Sequence, residues 1–223
     1  MNFSPALIVE TTSVCDRACA GCYAPNLVSK ESPAQVLKSM PHLFLKPESL
    51  TLALSHFDGI DSVALRGGEP TRHPLLANLI QISSANAQTV YIETHGRWLL
   101  DEANAHTEDL LSVIKSTGAV VKLSFDSMHG LAAEDLKVAT DRLASRDIGF
   151  LVAITEPDEA SFQRSLFLCS FIPKNKIVFQ NKIFVSEQLI QPKLGVIGVD
   201  GQIRNSLNSK LRSTSIEKQL VAL

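Results

Sequence analysis

Short, almost unbroken apolar runs alternate along this chain with longer stretches in which apolar residues recur three and four apart. The runs predict strands buried on both faces, and the stretches predict helices that cover them. A first strand is expected at 6–11 (Ala-Leu-Ile-Val-Glu-Thr), leading into a loop over 12–26. Ser32 and Pro33 supply a cap and a first helical residue, predicting a helix to about Lys46. A second short helix is expected over 51–58. From residue 61 the alternation is regular, with strands at 62–66, 89–93, 119–125, 149–154 and 176–179. Helices are expected between them over 74–86, 100–117, 131–145 and 158–170.

Six strands with helices between them predict an α/β fold with a parallel sheet. The pattern leaves open whether that sheet is doubly wound or an incomplete barrel. Residues 195–204 break the rhythm, because Asp200-Gly201 between two apolar runs predicts a β-hairpin. The stretch 205–215, rich in Ser, Asn and Lys, is expected to be mobile. The expected division is a core domain over 1–190 and a C-terminal hairpin with its tail over 191–223.

Composition narrows the function classes. A chain of 223 residues, 45% hydrophobic and 20% charged, suffices for one α/β domain with a substantial core. A formal net charge of −2 gives no reason to expect nucleic acid or an anionic membrane as partner. No apolar run approaches the length needed to span a bilayer. The opening Met1-Asn2-Phe3-Ser4-Pro5 lacks the basic start and apolar centre of a signal peptide, so a cytoplasmic location is expected.

The four cysteines are unevenly placed: Cys15, Cys19 and Cys22 cluster in the loop after the first strand, and Cys169 stands alone. Loops after strand C-termini surround the ligand crevice of parallel α/β folds, so the cluster falls where chemistry is expected. Structural zinc takes four ligands, which here would require Cys169 or a distant histidine as the fourth. A 4Fe–4S cluster held by three thiolates instead keeps one iron open to an exogenous ligand. Cys169, within Leu166-Phe167-Leu168-Cys169-Ser170-Phe171, reads as a buried small hydrophobe.

Cys15-Asp16-Arg17-Ala18-Cys19-Ala20-Gly21-Cys22-Tyr23 resembles the signature loop of the radical S-adenosylmethionine (SAM) superfamily, including its aromatic Tyr23. The flanking Ile8-Val9-Glu10-Thr11-Thr12 and Tyr23-Ala24-Pro25 resemble the molybdenum-cofactor and peptide-modifying branch. Gly67-Gly68-Glu69-Pro70, within Arg66-Gly67-Gly68-Glu69-Pro70-Thr71-Arg72-His73-Pro74, is similar to that superfamily's SAM-contacting GGEP motif. On the residues alone, paired glycines permit close approach of backbone to a ligand, though a tight turn explains them too. Glu69 would accept a hydrogen bond from the SAM ammonium or order the loop.

The resemblance implies a partial (β/α)6 TIM-like barrel with a short C-terminal hairpin extension. It also implies one 4Fe–4S cluster on Cys15, Cys19 and Cys22, with SAM bound at the open iron. The electron donor would be a flavodoxin or ferredoxin. The reaction would be reductive cleavage of SAM to a 5′-deoxyadenosyl radical, which takes hydrogen from a peptide or small-molecule substrate in natural-product or cofactor maturation. Thr94 and His95 stand where relatives carry Thr-Asn; Thr94 is placed near SAM, and His95 is a proton donor, a substrate contact or a packed histidine. Ser124 and Asp126 point to one side of their strand and suit the ribose hydroxyls or the methionine head group. Asp126 or Ser127 would equally serve as a helix cap. Lys137 is the candidate partner of the SAM carboxylate, or an exposed helical lysine. The likeness covers about 6–155, and no cysteine follows the hairpin where relatives often add auxiliary clusters. Two other readings stand beside it: an activase that installs a glycyl radical on a partner protein, and a zinc-stabilised binding module.

Overall fold

The structure, a computed structural model, describes residues 6–19, 22, 27–101, 105–156, 158–179 and 194–204. Strands and helices alternate as the pattern predicts, and eight of the described strands belong to a mostly parallel sheet. The chain divides into two compact units.

The first unit contains residues 6–18, 22, 27–92 and 194–204 of those described. It opens with β1 (Ala6–Thr12), in which Leu7, Ile8 and Val9 are all buried. A strand apolar on both faces can be stable only between neighbours and under helices. Accordingly β4 (Ile60–Gly67) pairs parallel on one side of β1, with Val9 opposite Leu65, and β5 (Ala87–Thr94) pairs parallel beyond β4. Two further segments follow β1: β2 (Val14–Cys15) and β3 (Leu27–Val28) form a parallel ladder of their own.

Helix α1 (Pro33–Ser39) carries the expected cap, with the Gln35 amide donating to Ser32 Oγ and the Gln35 side chain closing a capping box. It ends well before the predicted Lys46. Pro41 cannot donate a backbone hydrogen bond, and its ring would collide with the preceding turn. The chain instead makes a 3-10 turn at Pro41–Leu43 and runs extended through Phe44, which bridges to Thr12. The next helix, α2 (Pro47–Leu54), begins on Pro47, four residues before the predicted start at 51. It packs on α3 (Leu76–Asn86), and Leu50, Leu54, Leu76, Leu79 and Ile80 are fully buried.

The predicted hairpin is present as β9 (Leu194–Ile197) and antiparallel β10 (Ile203–Arg204). Asp200 and Gly201 lie in its turn, with Gly201 at φ +76°. Its attachment is the new fact: β9 pairs parallel with β1, Ile197 opposite Val9, so the hairpin extends the sheet. At Gly195 an added Cβ would lie 2.8 Å from Leu7 Cδ2.

The second unit contains Cys19, 93–101, 105–156 and 158–179 of the described residues. Its elements are α4 (Ala105–Thr117), β6 (Val120–Ser124), α5 (Ala133–Ser145), β7 (Phe150–Ile154), α6 (Glu159–Leu168) and β8 (Ile177–Phe179). Parallel pairing runs β6 to β7 to β8. The single helix predicted over 100–117 is a 3-10 turn at Arg97–Leu100 followed by α4. Buried Arg142 of α5 holds that turn, donating to Leu99 O at 2.6 Å, Asp101 O at 2.9 Å and Glu108 Oε1 at 2.6 Å. Among the described residues no helix is long and apolar enough to cross a membrane.

Candidate functional site: a cysteine loop clasped by a glycine turn

The cysteine loop begins where β1 ends. Its two ends are tied together, because the Leu27 amide donates to Ser13 O and the Ser29 amide to Cys15 O, both at 2.8 Å. Val14 anchors the base in a core cluster with Val36 and Phe44, against Leu27, Leu37 and Leu43. Exposure rises along the loop, from buried Cys15 through half-buried Cys19 to exposed Cys22. All four cysteines are thiols rather than disulfides. Cys15 and Cys22 belong to the first unit and Cys19 to the second. Tyr23, Ala24 and Pro25 lie outside the described residues, as does the tail after 204.

The Gly67-Gly68 turn is fastened to the start of this loop. The Gly68 amide donates to Thr12 O at 2.7 Å and the Glu69 amide to Val14 O at 2.9 Å. A Cβ at Gly67 would sit 2.3 Å from Thr12 O, and one at Gly68 would sit 2.2 Å from Val14 O. Any side chain there would push the turn off the loop. The structure thus shows a close approach of its own at the two glycines, between the turn and the cysteine-bearing backbone. Glu69 is buried, and its carboxylate accepts from the Thr71 amide at 3.2 Å and Thr71 Oγ1 at 2.8 Å, so it orders the turn. Pro70 starts the short 3-10 turn Pro70–Arg72.

His73 closes that turn. The Leu75 amide donates to its Nδ1 at 3.0 Å, which leaves the proton on Nε2, 2.9 Å from Leu45 O. Phe44 meets the ring edge-on at 5.5 Å between centroids. Burial lowers its pKa from 6.5 to about 4. No hydrophobic period marks this residue, since it lies between Arg72 and Pro74 in a polar turn.

In the second unit Thr94 ends β5 buried, and its Oγ1 accepts from the Gly96 amide and Trp98 Nε1, each at 3.1 Å. His95 is buried, with the Arg97 amide donating to its Nδ1 at 3.2 Å. Ser124 ends β6 half-buried. Asp126 is buried and caps the turn that follows, accepting from the Met128 and His129 amides at 3.0 and 2.9 Å and meeting His129 Nδ1 at 2.8 Å. Ser127 Oγ donates to Glu156 Oε2 at 2.7 Å, and Ser165 Oγ to Glu156 Oε1 at 2.6 Å. Lys137 is exposed on α5 and pairs with Asp141 at 2.6 Å. Cys169 is fully buried beside Leu166 O, and burial raises its pKa, which keeps it a thiol.

Among the described residues no three His, Cys, Asp or Glu side chains converge on the position of one metal ion. A cuboidal cluster is held through separate irons, one thiolate to each, rather than by several side chains on a single ion. Three thiols on one loop, none of them in a disulfide, are the donor chemistry that such a group takes.

No protein-family model matches the sequence, and no curated protein sequence does. Solved structures do. The chain is similar to native anSMEcpe with bound AdoMet, with 16% identity, TM-score 0.53, and coverage of 79% of this chain and 52% of that one. It is similar to the same protein with the Kp18Cys peptide, with 16% identity, TM-score 0.53, and coverage of 80% and 51%. Streptococcus suis SuiB bound to precursor peptide SuiA matches with 12% identity, TM-score 0.53, and coverage of 96% and 62%. The present chain shares the fold of these proteins. It spans about half the length of anSMEcpe and under two thirds of SuiB.

Proposed function

We propose that the chain is a radical SAM enzyme acting on a peptide. Cys15, Cys19 and Cys22 would hold three irons of one 4Fe–4S cluster, with SAM at the fourth. Bound together, these groups supply one-electron cleavage of the SAM sulfonium to methionine and a 5′-deoxyadenosyl radical, with the electron drawn from a flavodoxin or ferredoxin. The protein's part is to bind, orient and shield. The backbone of Gly67-Gly68-Glu69-Pro70 would meet the amino end of SAM, and the tied base of the cysteine loop keeps turn and loop in register. Ser124 and Asp126 would offer a hydroxyl and a carboxylate to the ribose or the methionine head group, and Thr94 would lie near SAM, besides the turns that Thr94 and Asp126 order. By the resemblance of its loop Tyr23 would belong to the cofactor-binding residues, and Lys137 would pair with the SAM carboxylate only by leaving Asp141.

The observation that carries this reading is the pair of hydrogen bonds fastening the glycine turn to Thr12 and Val14, next to Cys15. Two sequence motifs more than fifty residues apart are thereby one local structure. The peptide as substrate rests on the peptide-bound neighbours. The test is anaerobic reconstitution with iron and sulfide, then assay of 5′-deoxyadenosine under dithionite. Brown protein that cleaves SAM is expected. The activity should vanish when all three loop cysteines become alanine, and cleavage surviving that change would refute the assignment.

A further inference from the structure

Three segments of the first unit meet around the cysteine loop, and hydrogen bonds join each pair of them. The strand end 11–15 receives the glycine turn through Thr12 O and Val14 O. The same strand end is bound to 43–45: the Leu45 amide donates to Thr11 O at 2.8 Å, the Ser13 amide to Leu43 O at 2.9 Å, and Thr12 Oγ1 to Leu43 O at 2.9 Å. His73 joins the third pair, linking the far end of the turn to Leu45 O and Phe44. Its amide also donates to Pro70 O at 2.8 Å, so the ring is held rigidly to the GGEP residues. The turn is thus pinned at its start by Gly68 and at its end by His73.

Resting on the radical SAM reading above, we infer that His73, as the neutral Nε2–H tautomer, is a positioning residue for SAM. It holds the Gly67–Pro70 backbone at the height from which that backbone meets the amino end of SAM. Both ring nitrogens are used, one as acceptor and one as donor, and only this tautomer satisfies both. Losing the bond to Leu45 O would let the turn tilt about its Gly68 end while leaving the cysteines in place. One lost buried hydrogen bond of this kind corresponds to about tenfold in affinity.

Two substitutions separate the ring's two bonds. Asn at 73 retains an acceptor for the Leu75 amide and falls short of Leu45 O, whereas Gln extends an N–H to it. SAM affinity is measured by equilibrium dialysis on anaerobically reconstituted protein, with cluster content read from absorbance. His73→Asn is expected to weaken SAM about tenfold at unchanged cluster content, and His73→Gln to restore affinity to within about threefold. Equal affinity of His73→Asn and wild type, or equal loss in both variants at full cluster content, would overturn the inference. A second readout does not depend on SAM. In the full chain without cluster, nitrogen shifts of the labelled imidazole should show Nε2 protonated, and the opposite tautomer would overturn the inference even if a variant failed to fold. Wild-type protein that loads a cluster and ignores SAM would instead bring down the functional reading.

Discussion

Replacing Gly68 with alanine adds one carbon, and the structure says where that carbon goes. It would lie 2.2 Å from Val14 O, 2.5 Å from the Val14 carbonyl carbon and 3.1 Å from Cys15 N. These are backbone atoms tied into the β2–β3 ladder, so no side-chain rotation relieves the overlap. Ordinary contact is restored only if turn and loop separate by about 1 Å. That displacement breaks the bonds from Gly68 N to Thr12 O and from Glu69 N to Val14 O, now 2.7 and 2.9 Å. Two net hydrogen bonds, plus the stranding of buried partners, amount to about 3 kcal/mol. For a chain of this size the thermal midpoint should fall by about 6–12 °C. Gly149→Ala provides the contrast, since its Cβ would rest 3.4 Å from Val120 Cγ2 and its backbone suits alanine. That variant should stay within about 0.5 kcal/mol of wild type, or gain slightly. Thermal and urea melts of both, under reductant and without cluster, decide the matter. If Gly68→Ala melts together with Gly149→Ala, the clasp between turn and loop is not a tight contact and the argument from it fails.

His73 makes stability depend on pH. Its pKa, about 4 in the folded chain, lies below the ordinary 6.5, so between those values the unfolded chain binds the extra proton. The stabilisation is complete above pH 6.5 and declines as pH falls toward 4, by about 2 kcal/mol at pH 5; urea melts at pH 7 and 5 should show this loss in wild type and not in His73→Gln. Arg142→Lys should cost about 3 kcal/mol, because one ammonium cannot reproduce the fork that serves Leu99 O, Asp101 O and Glu108; recovery of the wild-type melt would refute that account. Thr94→Val strips the acceptor from the indole N–H of Trp98, the chain's sole tryptophan, and should shift its emission while costing about 1–3 kcal/mol; an unchanged spectrum would contradict the Trp98–Thr94 bond.

Much of the fold is legible in the sequence because burial imposes it. A strand such as β1, with Leu7, Ile8 and Val9 all interior, leaves a run that no surface segment would carry. The same holds for Val121 and Leu123 on β6 and for Val152 and Ile154 on β7. Less legible are features set by partners distant in sequence. The two-residue strands at Val14–Cys15 and Leu27–Val28 are too short for any period, and β9 finds β1 across nearly the whole chain. The early end of α1 was readable in principle, since Pro41 marks it, but the helical pattern through 46 concealed it. Of the site, the cysteines and the glycine pair are visible as motifs. His73 is not, because its meaning lies in the Leu45 carbonyl, and a carbonyl has no letter in a sequence.

The glycines show how a motif can be recognised before its cause. The usual reason for Gly-Gly beside a ligand is the ligand. Here the closest atoms to the missing side chains are Thr12 O and Val14 O. A ligand comes and goes, whereas the cysteine loop is covalently present at all times. The steric demand at 67 and 68 therefore acts in folding, before any cluster is loaded. In this chain the same two residues that would face the amino end of SAM already fix the distance between the turn and Cys15. A substitution there would damage assembly and ligand binding together, and only a measurement on the empty protein separates the two effects.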